Sequence, residues 1–131
     1  MAEKTMKVKV ISPERVFYEG EVTFMEFNTI EGIIGIYPMH IPTTVVIAPG
    51  ILRLVNQEGE KIAALHSGFA EILGDSVTIL AESVEWPEEI DYNRAQEAKI
   101  RAERKLKEGK DSGKAELALK RAVLRIQLTK K

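Results

Sequence analysis

The chain has 131 residues, 44% of them apolar and 30% charged, which fits a soluble globular protein of one domain, or of a small domain with an appendage. It has no cysteine, which excludes disulfides and thiolate metal sites, and no run of about 18 apolar residues, which excludes a membrane-spanning helix. The net charge of −1 hides a division: residues 1–89 hold 6 Lys/Arg against 14 Asp/Glu, a net of −8, and residues 90–131 hold 13 against 6, a net of +7. Two parts of opposite sign either attract each other or meet partners of opposite charge; the alternative is two solvated surfaces of unequal charge.

The absence of cysteine does not set the redox compartment, and the cytoplasm is the default expectation; the N-terminal Met1-Ala2-Glu3-Lys4 lacks the apolar core of a signal segment. Lys7–Ile11 alternates polar and apolar, as a half-buried strand does, and Ser12-Pro13-Glu14 breaks it. Residues 16–20 and 22–27 are strand-like, with Gly20-Glu21 read as a turn. Gly32, Gly35, Pro38 and Pro42 punctuate the next segment, and Ala48-Pro49-Gly50 is a strong turn. Residues 51–55 and 61–66 flank a turn and read as one hairpin; residues 69–73 and 77–81 around Gly74-Asp75 read as another. Many short strands with frequent turns predict an antiparallel sandwich or barrel over residues 1–87.

Trp86-Pro87-Glu88-Glu89 is a joint, since Pro87 disfavours helix at Trp86. Residues 88–131 then change period. Asp91 suits an N-cap, and Ala95, Ala98, Ala102 and Leu106 form an apolar stripe at helical spacing. Residues 109–113 break it, and Ala115, Ala118, Leu119, Ala122, Val123 and Ile126 form a second stripe. A short loop between two helices predicts an antiparallel hairpin. Its seam is rich in alanine and therefore weakly held.

Arg94 and Arg101 share one face of the first helix, and Arg121 and Arg125 one face of the second. Four guanidiniums converging beside the seam would call for an anion such as a phosphate chain; equally, they could be solvated and paired with Glu97, Glu103 and Glu116. Residues 109–114 resemble a phosphate loop without being one: only three residues separate the glycines, and Ala115 stands where Ser or Thr is needed. His40 and His66 have no partners in the sequence pattern that would make a triad or a metal site. No catalytic constellation emerges. A nucleic-acid role is disfavoured because Glu97, Glu103 and Glu108 interrupt the basic face of the first helix and aromatics for stacking are lacking.

Taken together, these segments resemble the epsilon subunit family of bacterial F-type ATP synthases. The resemblance rests on the loop Glu31-Gly32-Ile33-Ile34-Gly35-Ile36-Tyr37-Pro38-Met39-His40-Ile41-Pro42, the strand His66-Ser67-Gly68-Phe69-Ala70-Glu71-Ile72, the hexapeptide Ile90-Asp91-Tyr92-Asn93-Arg94-Ala95 and the helix 115–122. It implies a mainly β plus α fold: an N-terminal antiparallel sandwich of about ten strands and a C-terminal two-helix hairpin. It implies a non-catalytic rotor part that helps couple proton flow to ATP synthesis. The sandwich would bind the gamma subunit and stand on the c-ring at the cytoplasmic face of the membrane. The hairpin would reach the catalytic alpha/beta subunits and inhibit ATP hydrolysis. The isolated subunit would be a monomer.

Some members of the family bind ATP as a regulatory ligand, without a required metal, through the motif I/L-D-x-x-R-A. Ile90, Asp91, Arg94 and Ala95 match that motif, and the resemblance adds Glu85, Arg101, Arg121 and Arg125 to the site. Met39 departs from a family glycine, and Ile33 stands where some members carry an acid. The other function open to the same residues is a nucleotide-sensing module outside any ATP synthase.

Overall fold

A computed structural model describes residues 4–129, which divide into two compact units meeting between Val84 and Glu85. The first unit is all β. Among the described residues its eight strands are β1 (Met6–Ser12), β2 (Arg15–Val22), β3 (Phe24–Thr29), β4 (Gly32–Ile36), β5 (His40–Ile47), β6 (Gly50–Asn56), β7 (Gly59–Gly74) and β8 (Ser76–Glu85).

Alternation sets the core. β1 buries Met6, Val8 and Val10 and exposes Lys7 and Lys9, while β8 buries Val77, Ile79 and Ala81. Facing strands add Met25, Phe27, Leu52, Leu54 and Ile72, each almost wholly buried. The hydrogen-bonded order is β2-β1-β8-β7-β5-β3-β4, and β6 bridges β3 and β7. Because β3 pairs β5 and β6, and β7 pairs both of those, the sheet closes into a ring over β3-β6-β7-β5. Two layers then face each other across one apolar interior. The registers given by the pairs are antiparallel apart from β1 with β8, which run parallel, Lys7 opposite Ser76 through Ile11 opposite Leu80. A parallel pair needs a long crossover, and here the intervening strands supply it.

Among the described residues eight strands carry this fold, and β7 does the work of two. It pairs with β6 from Gly59 to Leu65 and with β5 from Gly68 to Gly74. The join is Ser67-Gly68, where φ is +27° and +146°. This pair reads as a break in the sequence, but the chain bends there and continues. Gly20-Glu21 likewise is no turn. β2 runs through it with Gly20 opposite Val8, and the absent Cβ makes room for the Tyr18 hydroxyl. The break falls at Thr23, whose N–H donates to the Val55 carbonyl at 2.8 Å. Gly32, Gly35 and Pro42 lie inside strands rather than between them; Gly35 sits under the Phe24 ring. Met39 has φ +71°, the left-handed conformation that a glycine adopts at less cost.

The second unit starts from a 3₁₀ turn over Pro87–Glu89, with Trp86 extended at φ −72° and ψ 151° as a residue before proline prefers. The Trp86 N–H donates to the Glu89 carboxylate at 2.9 Å. Then come α1 (Tyr92–Lys107) and α2 (Ser112–Thr129). Asp91 caps α1: its carboxylate accepts from the Arg94 N–H at 3.1 Å. α1 ends in a Schellman motif. Gly109, at φ +70°, donates to Leu106 O and Lys110 donates to Lys105 O. The glycine-containing segment 109–114 is thus a helix stop followed by a helix start.

Ala95 and Ala102 on α1, and Ala115 and Ala122 on α2, are buried, each pair seven residues apart. That step keeps one narrow face turned to the neighbour. Ala118 is exposed, and α2 buries Leu124 and Leu128, which lie outside the stripe read from the sequence because they follow a separate four-residue step. At about 0.8 kcal/mol per buried methyl-sized group, four seam alanines contribute about 3 kcal/mol, where four leucines would contribute two to three times as much.

Candidate functional site: an arginine-walled cavity in the helical unit

A cavity of about 390 Å³ opens within the second unit, lined by Glu85, Glu89, Asp91, Arg94, Ala95, Ala98, Arg101 and Arg125. Its volume lies in the range of small-molecule sites. The small side chains of Ala95 and Ala98 leave the hollow, and the caps described above position its carboxylates. Asp91 is held by the α1 N-terminus and Glu89 by the Trp86 N–H. Arg94 stands in the first turn of α1, and Arg101 lies about 10 Å further along the axis.

Arg125 reaches in from α2. Its Nε donates to Glu85 Oε1 at 2.7 Å, with both side chains about three-quarters covered. This charge-assisted bond holds the two ends of the unit together across 40 positions of sequence. Arg94 and Arg101 enter no side-chain ion pair among the described residues. The expected pairing with Glu97, Glu103 and Glu116 is therefore not seen for them. The wall carries three guanidiniums and three carboxylates, with the acids gathered at the α1 start and Arg101 furthest from them. Such a wall suits a ligand with hydrogen-bond donors at one end and negative charge at the other.

Six of the eight residues named from the sequence line the cavity: Glu85, Asp91, Arg94, Ala95, Arg101 and Arg125. Ile90 does not; its N–H donates to the Pro87 carbonyl at 3.2 Å and closes the 3₁₀ turn. Nor does Arg121, which lies one turn nearer the loop than Arg125 and is half-buried away from that wall. Three arginines converge, therefore, rather than four. Glu89 and Ala98 are the additions. In the sequence Glu89 stands only as part of the joint over residues 86–89, and Ala98 only as a member of the stripe. Among the described residues, no three His, Cys, Asp or Glu are placed to hold a metal ion, and no helix is long and apolar enough to cross a membrane.

Residues 5–87 match the beta-sandwich domain of the ATP synthase delta/epsilon chain, and residues 88–130 match its long alpha-helix domain. The ATP synthase epsilon chain of Caldanaerobacter subterraneus subsp. tengcongensis is 44% identical over 98% of this chain and 96% of its own. The epsilon chain of Halalkalibacterium halodurans is 41% identical over 95% and 96%. A chain in the cryo-EM structure of the Euglena gracilis mitochondrial ATP synthase, OSCP/F1/c-ring in rotational state 1, superposes with a TM-score of 0.80 at 23% identity, over 89% of this chain and 76% of that one, a likeness of fold.

Proposed function

The chain belongs to the ATP synthase delta/epsilon family, and on that premise we propose that it is a non-catalytic rotor subunit of the central stalk whose helical hairpin senses ATP. The observation that carries the sensing role is the cavity just described, in which Arg94 and Arg101, free of ion pairs among the described residues, and the cap-held Glu89 and Asp91 face one hollow. ATP is the ligand: its adenosine hydroxyl and amino groups donate to the carboxylates near Glu85 and Asp91, and its phosphates meet the arginines. With ATP bound the hairpin stays closed. Without it the alanine seam is too weak to hold two basic helices together, and the opened helices reach the catalytic alpha/beta subunits and inhibit hydrolysis.

Calorimetric titration of the full chain with ATP tests this reading, and amide exchange gives its second readout. At an ATP concentration of 100 times Kd, mass action stabilises the closed form by about 2.7 kcal/mol. Exchange in 91–129 should slow by up to about 100-fold. Unchanged exchange at saturation would show that the hairpin does not close on the ligand.

The sandwich supplies the rotor contacts. On its outer face Val16, Ile11 and Leu80 are successive cross-strand partners, and Val46 is opposite Phe69. Leu80 lies beside Gly68, so the two groups form one apolar row over β2-β1-β8-β7-β5. Phe69, Leu80 and Val16 are each more than half exposed. An exposed apolar row is a docking surface, here for the gamma subunit, while the exposed Tyr37, Met39 and Ile41 face the c-ring at the cytoplasmic side of the membrane. Phe69→Glu should leave the fold intact and weaken capture of purified gamma subunit by about 2 kcal/mol or more, because a carboxylate would be desolvated in the contact. Capture at parental affinity would place gamma on another face.

A further inference from the structure

A second cavity, of about 220 Å³, lies in the same helix pair toward the loop. Alanines from both helices floor it, and small side chains are what leaves the hollow. Its charged rim is Arg101, Lys105 and Lys114 with one carboxylate, Asp111. Arg101 belongs to the walls of both cavities. The first cavity is balanced in charge, three against three; the second carries three cations against one anion. Neither Lys105 nor Lys114 enters an ion pair among the described residues. The start of α2 adds its partial positive charge beside Lys114.

From this asymmetry we infer that the second cavity is a distal phosphate subsite, gripped by Lys105 and Lys114 and joined to the first through Arg101. The inference deepens the nucleotide reading and rests on it for the occupant of the first cavity. A phosphate oxyanion has little to gain near Glu85, Glu89 and Asp91, and most to gain where cations are in excess and unpaired. The helix axis runs about 20 Å from Asp91 to Lys105, so a nucleotide with its adenosine at the acidic end would point its terminal phosphate along the seam toward the lysines. The same chemistry would be met by a free inorganic phosphate group lying beyond a shorter nucleotide.

Calorimetry on the full chain with inorganic pyrophosphate, and separately with ATP, tests the subsite. Two double variants remove the same charge: Lys105→Gln with Lys114→Gln, and Lys107→Gln with Lys120→Gln, which line neither cavity. Glutamine is a good helix former, so both should fold. The first pair should weaken pyrophosphate binding about tenfold or more, and the control pair less than about threefold. Equal losses in the two, or no pyrophosphate binding by the parent, overturns the subsite. If ATP displaces pyrophosphate and also loses affinity in the first pair, the occupant is the nucleotide's own terminal phosphate; if both bind together, it is a free anion. Pyrophosphate binding that depends on Lys105 and Lys114 in a protein that does not bind ATP would sustain the subsite and defeat the nucleotide reading.

Discussion

Gly68→Ala should destabilise the sandwich by about 4 kcal/mol, a large share of the 5–15 kcal/mol that holds a domain together. Two costs add. The backbone at φ +146° is one that L side chains rarely adopt, worth about 1–3 kcal/mol. A Cβ at this position would overlap the Leu80 carbonyl oxygen and press on the Ala81 backbone, neither of which can turn aside as a flexible side chain would. Overpacking of that kind costs about 1–3 kcal/mol more. For a domain of this size, 4 kcal/mol lowers Tm by roughly 20 °C. Gly59→Ala separates the two terms. Its φ is +137°, but nothing lies within 4 Å of a Cβ there, so only the conformational cost should appear. If urea denaturation gives the two variants the same midpoint, the close approach of β7 to β8 is not what reserves position 68 for glycine.

That position also shows where sequence reading stops. Alternation in residues 7–11 marked β1 as a half-buried strand, and β1 does bury Val8 and Val10 between exposed lysines, because it has one wet face and one dry one. Alternation could not see that residues 59–74 form one strand. Ser67-Gly68 carries the local signature of a turn, and only the neighbouring strands decide that the chain bends and pairs onward. Around residues 63–66 the strand is buried on both faces, so alternation vanishes there as well. The same limit applied to Gly35 and Pro42, where turn-forming residues were absorbed into strands by ring packing and a bulge. The helical unit was more legible, since a cap, a glycine stop and seven-residue alanine steps are local signals. Helical spacing put Arg121 and Arg125 on one face. It could not tell which of them reaches the cavity, because that depends on Glu85, 40 positions away, drawing Arg125 inward.

That ion pair makes Arg101, rather than Arg125, the residue whose loss should speak most clearly. On sequence grounds Arg125 is attractive because it is far from either helix start. In the folded unit Arg125→Ala would also remove the bond that Glu85 Oε1 accepts beside the cavity, so weaker ATP binding would mix a lost phosphate contact with a changed environment of that acid. Arg94 sits in the first turn, beside the cap. Arg101 has neither complication: it is exposed, in mid-helix, and without an ion pair among the described residues, so Arg101→Ala should leave the Tm of the free protein nearly unchanged. One charge-assisted contact to phosphate is worth about 1.5–3 kcal/mol. Arg101 serves both cavities, so the upper value applies and ATP affinity should fall by roughly 100-fold. Arg101→Lys keeps the charge and loses the fork, and should recover only part of that loss. Arg53→Ala is the control: that guanidinium is bonded to Glu26 and Glu60 on the sandwich, and its removal should leave ATP affinity alone. Calorimetry of the four proteins decides the matter. Parental affinity in Arg101→Ala would mean that the phosphates lie outside the helical seam, and the arginine-walled cavity would lose its claim to the nucleotide.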